Sequence, residues 1–356
     1  MALTGPCGAT PRQVPAVAAF ADEVFEVRHG WLASMYPTLF RADNAHWLRT
    51  LWDGDRPVSL VAVWRGEIET FCRRLKVARV GSVCTLPAYR GQGLAGTLLC
   101  DALARLQAAG TALVFISGRG PLYQRAGSRV FGDLREFFVD ASVLPTGESS
   151  ELQCVAPRAP ETAILADMAR LYEREPVHYV RSANDWHLLL PAKHYLPAQS
   201  GRGTVLVYSG GHAVAYALWD ERGRENLLDI NELAGDREAL PYALGWMLGH
   251  TGRRRARFCV QPTDTALLRW AKAIGASLVA VPNGHSARVL SAYAFLDSLA
   301  SAPGPGPDPE ILRALVPHDR IGSPGEPAQA ATFGQAALGP GTHALPLPRS
   351  DGPNYI

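Results

Sequence analysis

The stretch from Val80 to Leu99, VGSVCTLPAYRGQGLAGTLL, constrains the fold of this chain more than any other part of it. Val80–Thr85 is short and apolar, which predicts a buried strand, and Pro87 ends it because proline has no N–H to donate to a ladder. A turn with glycines follows, and apolar residues three and four apart then predict a helix over 96–107. Because the first N–H groups of a helix point out of it, this arrangement predicts an anion-binding site.

The sequence of the glycine turn fits two different motifs. The letters GQGLAG over 91–96 fit the dinucleotide-binding pattern G-x-G-x-x-G. Those glycines do not directly follow the strand, however, and the predicted strand over 112–117 lacks an acid that would hold a ribose. The second motif is Arg-x-x-Gly-x-Ala over 90–95, preceded by Pro-x-Tyr. A plain turn that uses glycine for a positive φ explains the glycines but not Arg90 beside them.

The order strand, proline, Tyr-Arg-Gly, Gly-Leu-Ala and helix resembles the acetyl-CoA signature of the GCN5-related N-acetyltransferases (GNAT). The resemblance covers about residues 10–142, where the pattern predicts the order α-α-β-β-β-β-α-β-α-β. It implies an α/β fold with a mixed α+β sheet, acetyl-CoA as cosubstrate and no metal. It also implies that backbone N–H groups bind the coenzyme, with a guanidinium beside its pyrophosphate. The implied coenzyme-binding residues are Val83, Cys84, Thr85, Arg90, Gly91, Gln92, Gly93, Leu94 and Ala95.

The letters LYQRAG over 122–127 resemble the family's LYxxxGF segment, whose tyrosine lies near the coenzyme sulfur. The resemblance makes Tyr123 the candidate general acid, although Ser128 stands where the family has phenylalanine. The alternative role for this tyrosine is packing under the coenzyme. Cys84 is not favoured as a nucleophile, because no histidine forms a recognisable dyad with it.

A general base must accept the proton of the attacking amine, and four carboxylates are candidates. Glu26 and Asp22 lie on the first predicted helix, and Glu67 and Glu69 lie near the third predicted strand. The alternative interpretation of each of the four is an ordinary acid on the protein surface.

The chain is predicted to hold two tandem GNAT-like domains. Residues 1–145 form the expected catalytic domain, the Pro-rich 146–160 a linker, 161–299 a second unit with the same element order, and the Pro/Gly-rich 300–356 a C-terminal extension. Ala234–Glu238 replaces the glycine motif in the second unit, so this unit is expected to have lost the coenzyme site. The tandem order resembles the Eis-like acetyltransferases with a shortened C-terminal region. In those proteins the terminal carboxylate reaches the active site, which implies a base role for Ile356.

Four local predictions concern turns and closing strands. Asp53–Asp55 is expected to join a hairpin, and Arg65–Glu67 is expected to be a second turn. A strand over Phe131–Val139 is expected to close the first unit, and one over Ala287–Tyr293 the second.

Composition excludes several classes of protein. A net charge of +2 over 356 residues gives no electrostatic reason to bind nucleic acid. No apolar run approaches about 18 residues and no signal peptide is recognisable, so we expect no membrane span and a cytoplasmic location. The six cysteines are scattered without metal-ligand spacing. Only three lysines accompany many arginines, which together with abundant Ala, Gly and Pro is typical of a GC-rich bacterial genome.

The sequence therefore predicts an N-acetyltransferase that moves an acetyl group from acetyl-CoA to a primary amine by direct attack in a ternary complex. The acceptor is expected to be a small-molecule or peptide amine, and a homo-oligomer is compatible with the pattern. The alternative from another class is a non-catalytic acyl-CoA-binding or protein-interaction module on the same tandem scaffold. A nucleotide oxidoreductase is disfavoured, since the acid that holds the ribose is missing.

Overall fold

A computed structural model describes residues 3–70, 73–145, 151–221, 226–291, 294–295 and 347–348. Within them the α-helices are α1 (Val14–Val24), α2 (Trp31–Met35), α3 (Leu94–Ala108), α4 (Pro121–Arg125), α5 (Thr162–Tyr172), α6 (Ala183–Ala192), α7 (Leu240–Thr251) and α8 (Thr265–Ala273). The strands are β1 (Thr4–Gly8), β2 (Leu48–Asp53), β3 (Arg56–Thr70), β4 (Arg73–Thr85), β5 (Leu113–Ile116), β6 (Arg129–Val130), β7 (Leu134–Asp140), β8 (Leu152–Val155), β9 (Val177–Tyr179), β10 (Arg202–Ser209), β11 (His212–Asp220), β12 (Leu227–Gly235), β13 (Arg255–Val260), β14 (Val279–Val281) and β15 (Ser286–Val289). These elements confirm the predicted mixed α/β class. None of the described helices is long and apolar enough to cross a membrane.

The described residues form two compact units. The first unit holds residues up to 131 and those from 284 to 295, and the second holds 132–283 and 347–348. The units therefore do not divide the chain at 145–160, because the chain changes unit at 131 and returns at 284.

Seven strands of the first unit lie in the order β1-β2-β3-β4-β5-β15-β6 within the described part of the chain. The neighbours from β1 to β4 are antiparallel, β4 and β5 are parallel, and β15 runs antiparallel to β5 and β6. Helices α1 and α3 both pack on β3 and β4. The core between them buries aliphatic side chains completely, such as Val61 and Leu98.

The second unit repeats this order as β8-β10-β11-β12-β13-β7-β14. Here β12 and β13 form the parallel pair, as β4 and β5 do in the first unit. The predicted repeat of elements is thus confirmed, but the closing strands are exchanged. The strand predicted at Phe131–Val139 belongs to the second sheet as β7, and the strand predicted at Ala287–Tyr293 belongs to the first as β15.

The hairpin predicted at Asp53–Asp55 joins β2 to β3, with Gly54 at φ +58°. The turn predicted at Arg65–Glu67 is wrong, because β3 continues through it to Thr70. Gly66 serves packing there: a Cβ would lie 2.2 Å from the Trp64 ring. The glycine therefore makes room for an indole on the strand instead of bending the chain.

Candidate functional site

The two parallel strands of the first unit separate at their carboxyl ends. Their paired residues run from Val77 with Leu113 to Val80 with Ile116. Beyond Val80, β4 continues to Thr85, whereas β5 has ended. The carboxyl end of a parallel pair is a common place for ligands in α/β sheets, because the backbone of the longer strand has lost its neighbour there.

A β-bulge lies in the part of β4 that still pairs with β3 but has no partner on the β5 side. Gly81 pairs with Ala62 but Cys84 pairs with Leu60, so β4 has one residue more than β3 between these pairs. Ser82 has φ +47°, a left-handed conformation that is uncommon outside glycine. Bulges twist a strand and redirect its backbone groups, and they occur often beside active sites.

Side chains from neighbouring elements hold the end of β4. The Ser59 hydroxyl lies 2.8 Å from the Thr85 hydroxyl and donates to the Cys84 carbonyl at 3.3 Å. The Arg90 guanidinium donates from Nε to the Thr85 carbonyl at 3.1 Å. The backbone N–H groups of Val83 and Thr85 therefore belong to a segment that is fixed from two sides.

The glycine turn leads into the long helix α3. Gly91 (φ +79°) and Gly93 (φ +75°) have left-handed conformations, and a Cβ on either would meet no atom within 4 Å. Gly93 is the N-cap, and neither a capping side chain nor an acid occupies the first turn. The N–H groups that begin α3, at Leu94 and Ala95, therefore face open space that an anion fits. Gln92 lies exposed between the two glycines.

Tyr123 lies half-buried on α4, near the end of β4. Its ring packs on Gly118, where a Cβ would lie 2.0 Å from the ring carbon Cε2. Helix α4 also approaches the first turn of α3, because a Cβ on Gly96 would contact Leu122 at 3.8 Å. Burial and the nearby Cys84 raise the pKa of the Tyr123 phenol above its ordinary value. The phenol is therefore protonated at neutral pH.

Cys84 is buried beneath this site. Burial raises the pKa of its thiol to about 12, although Arg90 acts in the opposite direction. A thiol with such a pKa is protonated at neutral pH, and the protonated thiol is a poor nucleophile. Cys84 thus contributes its backbone to the site and its side chain to the core.

The candidate bases lie in different places. Asp22 is buried, and its carboxylate accepts the N–H groups of Gly30 at 2.6 Å and Leu32 at 2.9 Å, which fixes the start of α2. Its carboxylate is used by the fold, which does not support a base role. Glu26 is exposed just after α1, at φ +54°. Ile356 lies outside the described residues.

Glu67 and Glu69 lie at the far end of the β3–β4 hairpin. Glu67 is opposite Lys76, whereas the end of β4 is opposite Ser59. Eight residues of strand separate Glu67 from Ser59, which is about 27 Å. Both glutamates lie beside Arg74, at 3.9 and 3.4 Å. Their position excludes them as bases at the end of β4.

The equivalent turn of the second unit already contains an anion. The Gly235 N–H, at the end of β12, donates to a Glu175 carboxylate oxygen at 2.9 Å. Arg237 holds the same carboxylate, with Nη1 and Nη2 donating at 2.8 and 2.5 Å. The acids of the segment that replaces the glycine motif, Asp236 and Glu238, do not fill this place: the Asp236 carboxylate accepts the Glu238 N–H. Glu175 is sixty residues away in sequence, so no local motif identifies it.

Sequence reasoning also missed Ser59 and Ser82. Neither residue belongs to a motif, since a serine in a strand carries no sign of a bulge or of a cross-strand hydrogen bond. Gly118 lies two residues before Gly120-Pro121. A glycine at such a position can indicate that a ring packs closely on the backbone, and it is the one sign of this contact in the sequence.

A family comparison matches the part of the chain that contains this turn. Residues 8–131 match the family described as the acetyltransferase (GNAT) domain. The match covers most of the first unit and about a third of the chain. No curated protein matches the chain by sequence.

Solved structures share the fold over both units. A probable N-acyltransferase from Enterococcus faecalis V583 is 16% identical with a TM-score of 0.64, covering 83% of this chain and 74% of that one. A GCN5-related N-acetyltransferase from Kribbella flavida is 18% identical with a TM-score of 0.60, covering 85% and 75%. Eis1 from Mycobacterium abscessus is 12% identical with a TM-score of 0.53, covering 75% and 72%. The chain therefore has a GNAT-like fold.

Proposed function

We propose that this protein is an N-acetyltransferase that moves an acetyl group from acetyl-CoA to a primary amine, by direct attack in a ternary complex. The observation that carries the proposal is the open turn at the start of α3 beside the unpaired end of β4. This turn combines two left-handed glycines with a helix N-terminus that has no side-chain cap and no acid in its first turn. Such a turn suits a diphosphate, and the adjacent strand edge suits an amide-containing arm.

The chain's own groups have distinct roles in binding. The N–H groups of residues 91–95 would receive the pyrophosphate, with Arg90 adding positive charge. The N–H of Thr85 would pair with the pantetheine arm, and the N–H of Val83 would hydrogen-bond the thioester carbonyl. Cys84 contributes only backbone. When bound, acetyl-CoA supplies an activated acetyl thioester to this site.

Tyr123 is the proposed general acid. An ordinary thiol has a pKa of about 8.5 and an ordinary phenol one of about 10, so proton transfer from such a phenol to a thiolate costs about 2 kcal/mol. Burial of Tyr123 raises the pKa of its phenol and adds to this cost. This transfer is favourable only where the phenol lies close to the leaving sulfur and regains its proton from the amine. Its half-buried position near Cys84 and the start of α3 supports this role.

Two carboxylates remain candidates for the base. Glu26 is exposed, so it would act through a water molecule. The terminal carboxylate of Ile356 is the second candidate, by the resemblance to Eis-like proteins. Turnover of Glu26→Gln and of a chain lacking its last four residues distinguishes them, and full activity in both would exclude both groups.

We propose a small-molecule or peptide amine as acceptor and an Eis-like protein as a functional parallel. The likeness to Eis1 supports only the fold, at 12% identity. The acceptor is therefore to be found by screening amines for thiol release from acetyl-CoA.

The test begins with calorimetric titration of the full chain with acetyl-CoA, followed by thiol release with an active amine. Tyr123→Phe is expected to bind acetyl-CoA within about twofold of the wild type and to lose roughly 10²-fold or more in turnover. Micromolar binding without turnover for any amine would favour the non-catalytic acyl-CoA-binding module. Absence of binding would contradict the proposed coenzyme site.

A further inference from the structure

We propose that the second unit binds a small protonated amine with an apolar body in a cavity of its own. The cavity has a volume of about 320 Å³, and all its lining residues belong to the second unit. It lies where β12 and β13 stop pairing, beyond Asp229 and Arg257. Its volume is at the lower end of the range for small-molecule sites.

The walls of this cavity are mainly apolar. Ile230 and Leu233 come from β12, Phe258 and Val260 from β13, and Tyr172 from the end of α5. An aromatic or aliphatic ligand body of modest size therefore finds matching surface on both strands.

The charged groups of the lining leave one negative charge in excess. Three carboxylates line the cavity, on Glu175, Glu232 and Asp264, whereas Arg237 is the one guanidinium among the lining residues. Glu232 is neutralised by Arg181, whose Nη1 and Nη2 donate to it at 3.0 and 2.5 Å. Glu175 and Asp264 share Arg237, so this group of three carries a net charge of −1. A cationic ligand group is therefore favoured in this partly desolvated place.

The same contacts exclude an anionic ligand such as a coenzyme pyrophosphate. Arg237 donates from Nη1 to Glu175 and to the Gly235 carbonyl, both at 2.8 Å. Its Nη2 reaches Glu175 at 2.5 Å and Asp264 at 2.9 Å, and its Nε reaches Asp264 at 3.0 Å. Four of the five N–H bonds of the guanidinium are thus hydrogen-bonded, Nη2 is also ion-paired with Asp264, and the Gly235 N–H donates to Glu175. The charge and the occupied donors both select against phosphate and carboxylate.

The experiment measures binding to the full chain in the absence of acetyl-CoA, so its result is independent of the proposed acetyl transfer. The probes are 2-phenylethylamine, phenylacetate and 2-phenylethanol, which share a ring and differ in charge. Titration calorimetry is expected to show 2-phenylethylamine binding at least tenfold more tightly than phenylacetate. Equal or tighter binding of phenylacetate, or no binding of any of the three, would overturn the proposal.

Two tryptophan variants locate the site. Ala266 lines the cavity and is exposed on α8, so Ala266→Trp is expected to fill the opening and abolish binding without disturbing the core. Ala273 is also exposed on α8, seven residues along and outside the lining, and Ala273→Trp is expected to bind as the wild type does. Unchanged amine binding in Ala266→Trp would refute the location.

A third variant tests the role of the negative charge in the cavity, and its result can be interpreted even if Ala266→Trp fails to fold. Asp264 caps α8 by accepting the Leu267 N–H at 3.1 Å, and asparagine caps equally well. Asp264→Asn is expected to weaken 2-phenylethylamine about fivefold or more and to leave 2-phenylethanol unchanged. Equal losses for both probes would contradict the role of the negative charge.

Discussion

A glycine at the start of α3 has two possible reasons, its left-handed conformation and the space that a phosphate group needs. The substitution Gly93→Ala separates them. Gly93 has φ +75°, and an alanine there costs about 1–2 kcal/mol because its Cβ disfavours the left-handed region. No atom of the protein lies within 4 Å of that Cβ, so no steric term is added. A phosphate group lying on the helix N-terminus would occupy the same space. We therefore expect the Kd for acetyl-CoA to rise at least tenfold, about 1.4 kcal/mol.

Gly110→Ala is the matched control for this experiment. Gly110 has φ +73° and equally open surroundings, but it follows the other end of α3. The helix is about 22 Å long, so this position is remote from the turn. Both variants are expected to lower the melting temperature by a similar few degrees. Titration calorimetry should show weaker acetyl-CoA binding for Gly93→Ala alone, and equal Kd values for the two variants would refute the phosphate site.

Three further predictions concern reactivity, pH and folding. Iodoacetamide at pH 8 should modify exposed Cys100 but not Cys84, whose pKa is about 12; peptide mass spectrometry checks this, and equal labelling would contradict it. The rate of thiol release should not fall between pH 7 and about 10 through ionisation of Tyr123. Burial raises the pKa of this phenol, so the proton-donating form persists over that range. A fall in rate below pH 9 that disappears in Tyr123→Phe would contradict this prediction. Residues 1–131 alone should aggregate, because β5 loses its neighbour β15 and exposes an apolar edge; light scattering tests this, and the same piece linked to residues 284–291 should be soluble.

Hydrophobic periodicity predicted most helices and strands of both units, because each has one clearly apolar side. It could not assign the closing strands to sheets. Phe131–Val139 and Ala287–Tyr293 each follow a helix in the chain, and the apolar residues of a strand do not indicate which of two similar sheets accepts it. Strand Thr4–Gly8 was not predicted at all, because its letters TGPCG have low strand propensity.

Some residues of the candidate site could be predicted from the sequence, and others could not. The glycine turn and Tyr123 could be named from sequence because their motif is local. The left-handed Ser82, the buried use of Asp22 and the carboxylate of Glu175 on Gly235 depend on contacts between distant residues. No local pattern encodes such contacts, so the end of β4 and the cavity of the second unit required the structure.

The position of β15 has a consequence for synthesis on the ribosome. Residues Leu113–Ile116 of β5 pair with Ser286–Val289, which emerge after roughly 170 further residues. At about 5–20 residues per second, the edge of β5 waits about 8–35 s for its partner. Most of the second unit is translated during that interval. The nascent chain therefore carries a vacant strand position in its first sheet until residues 286–289 have been made.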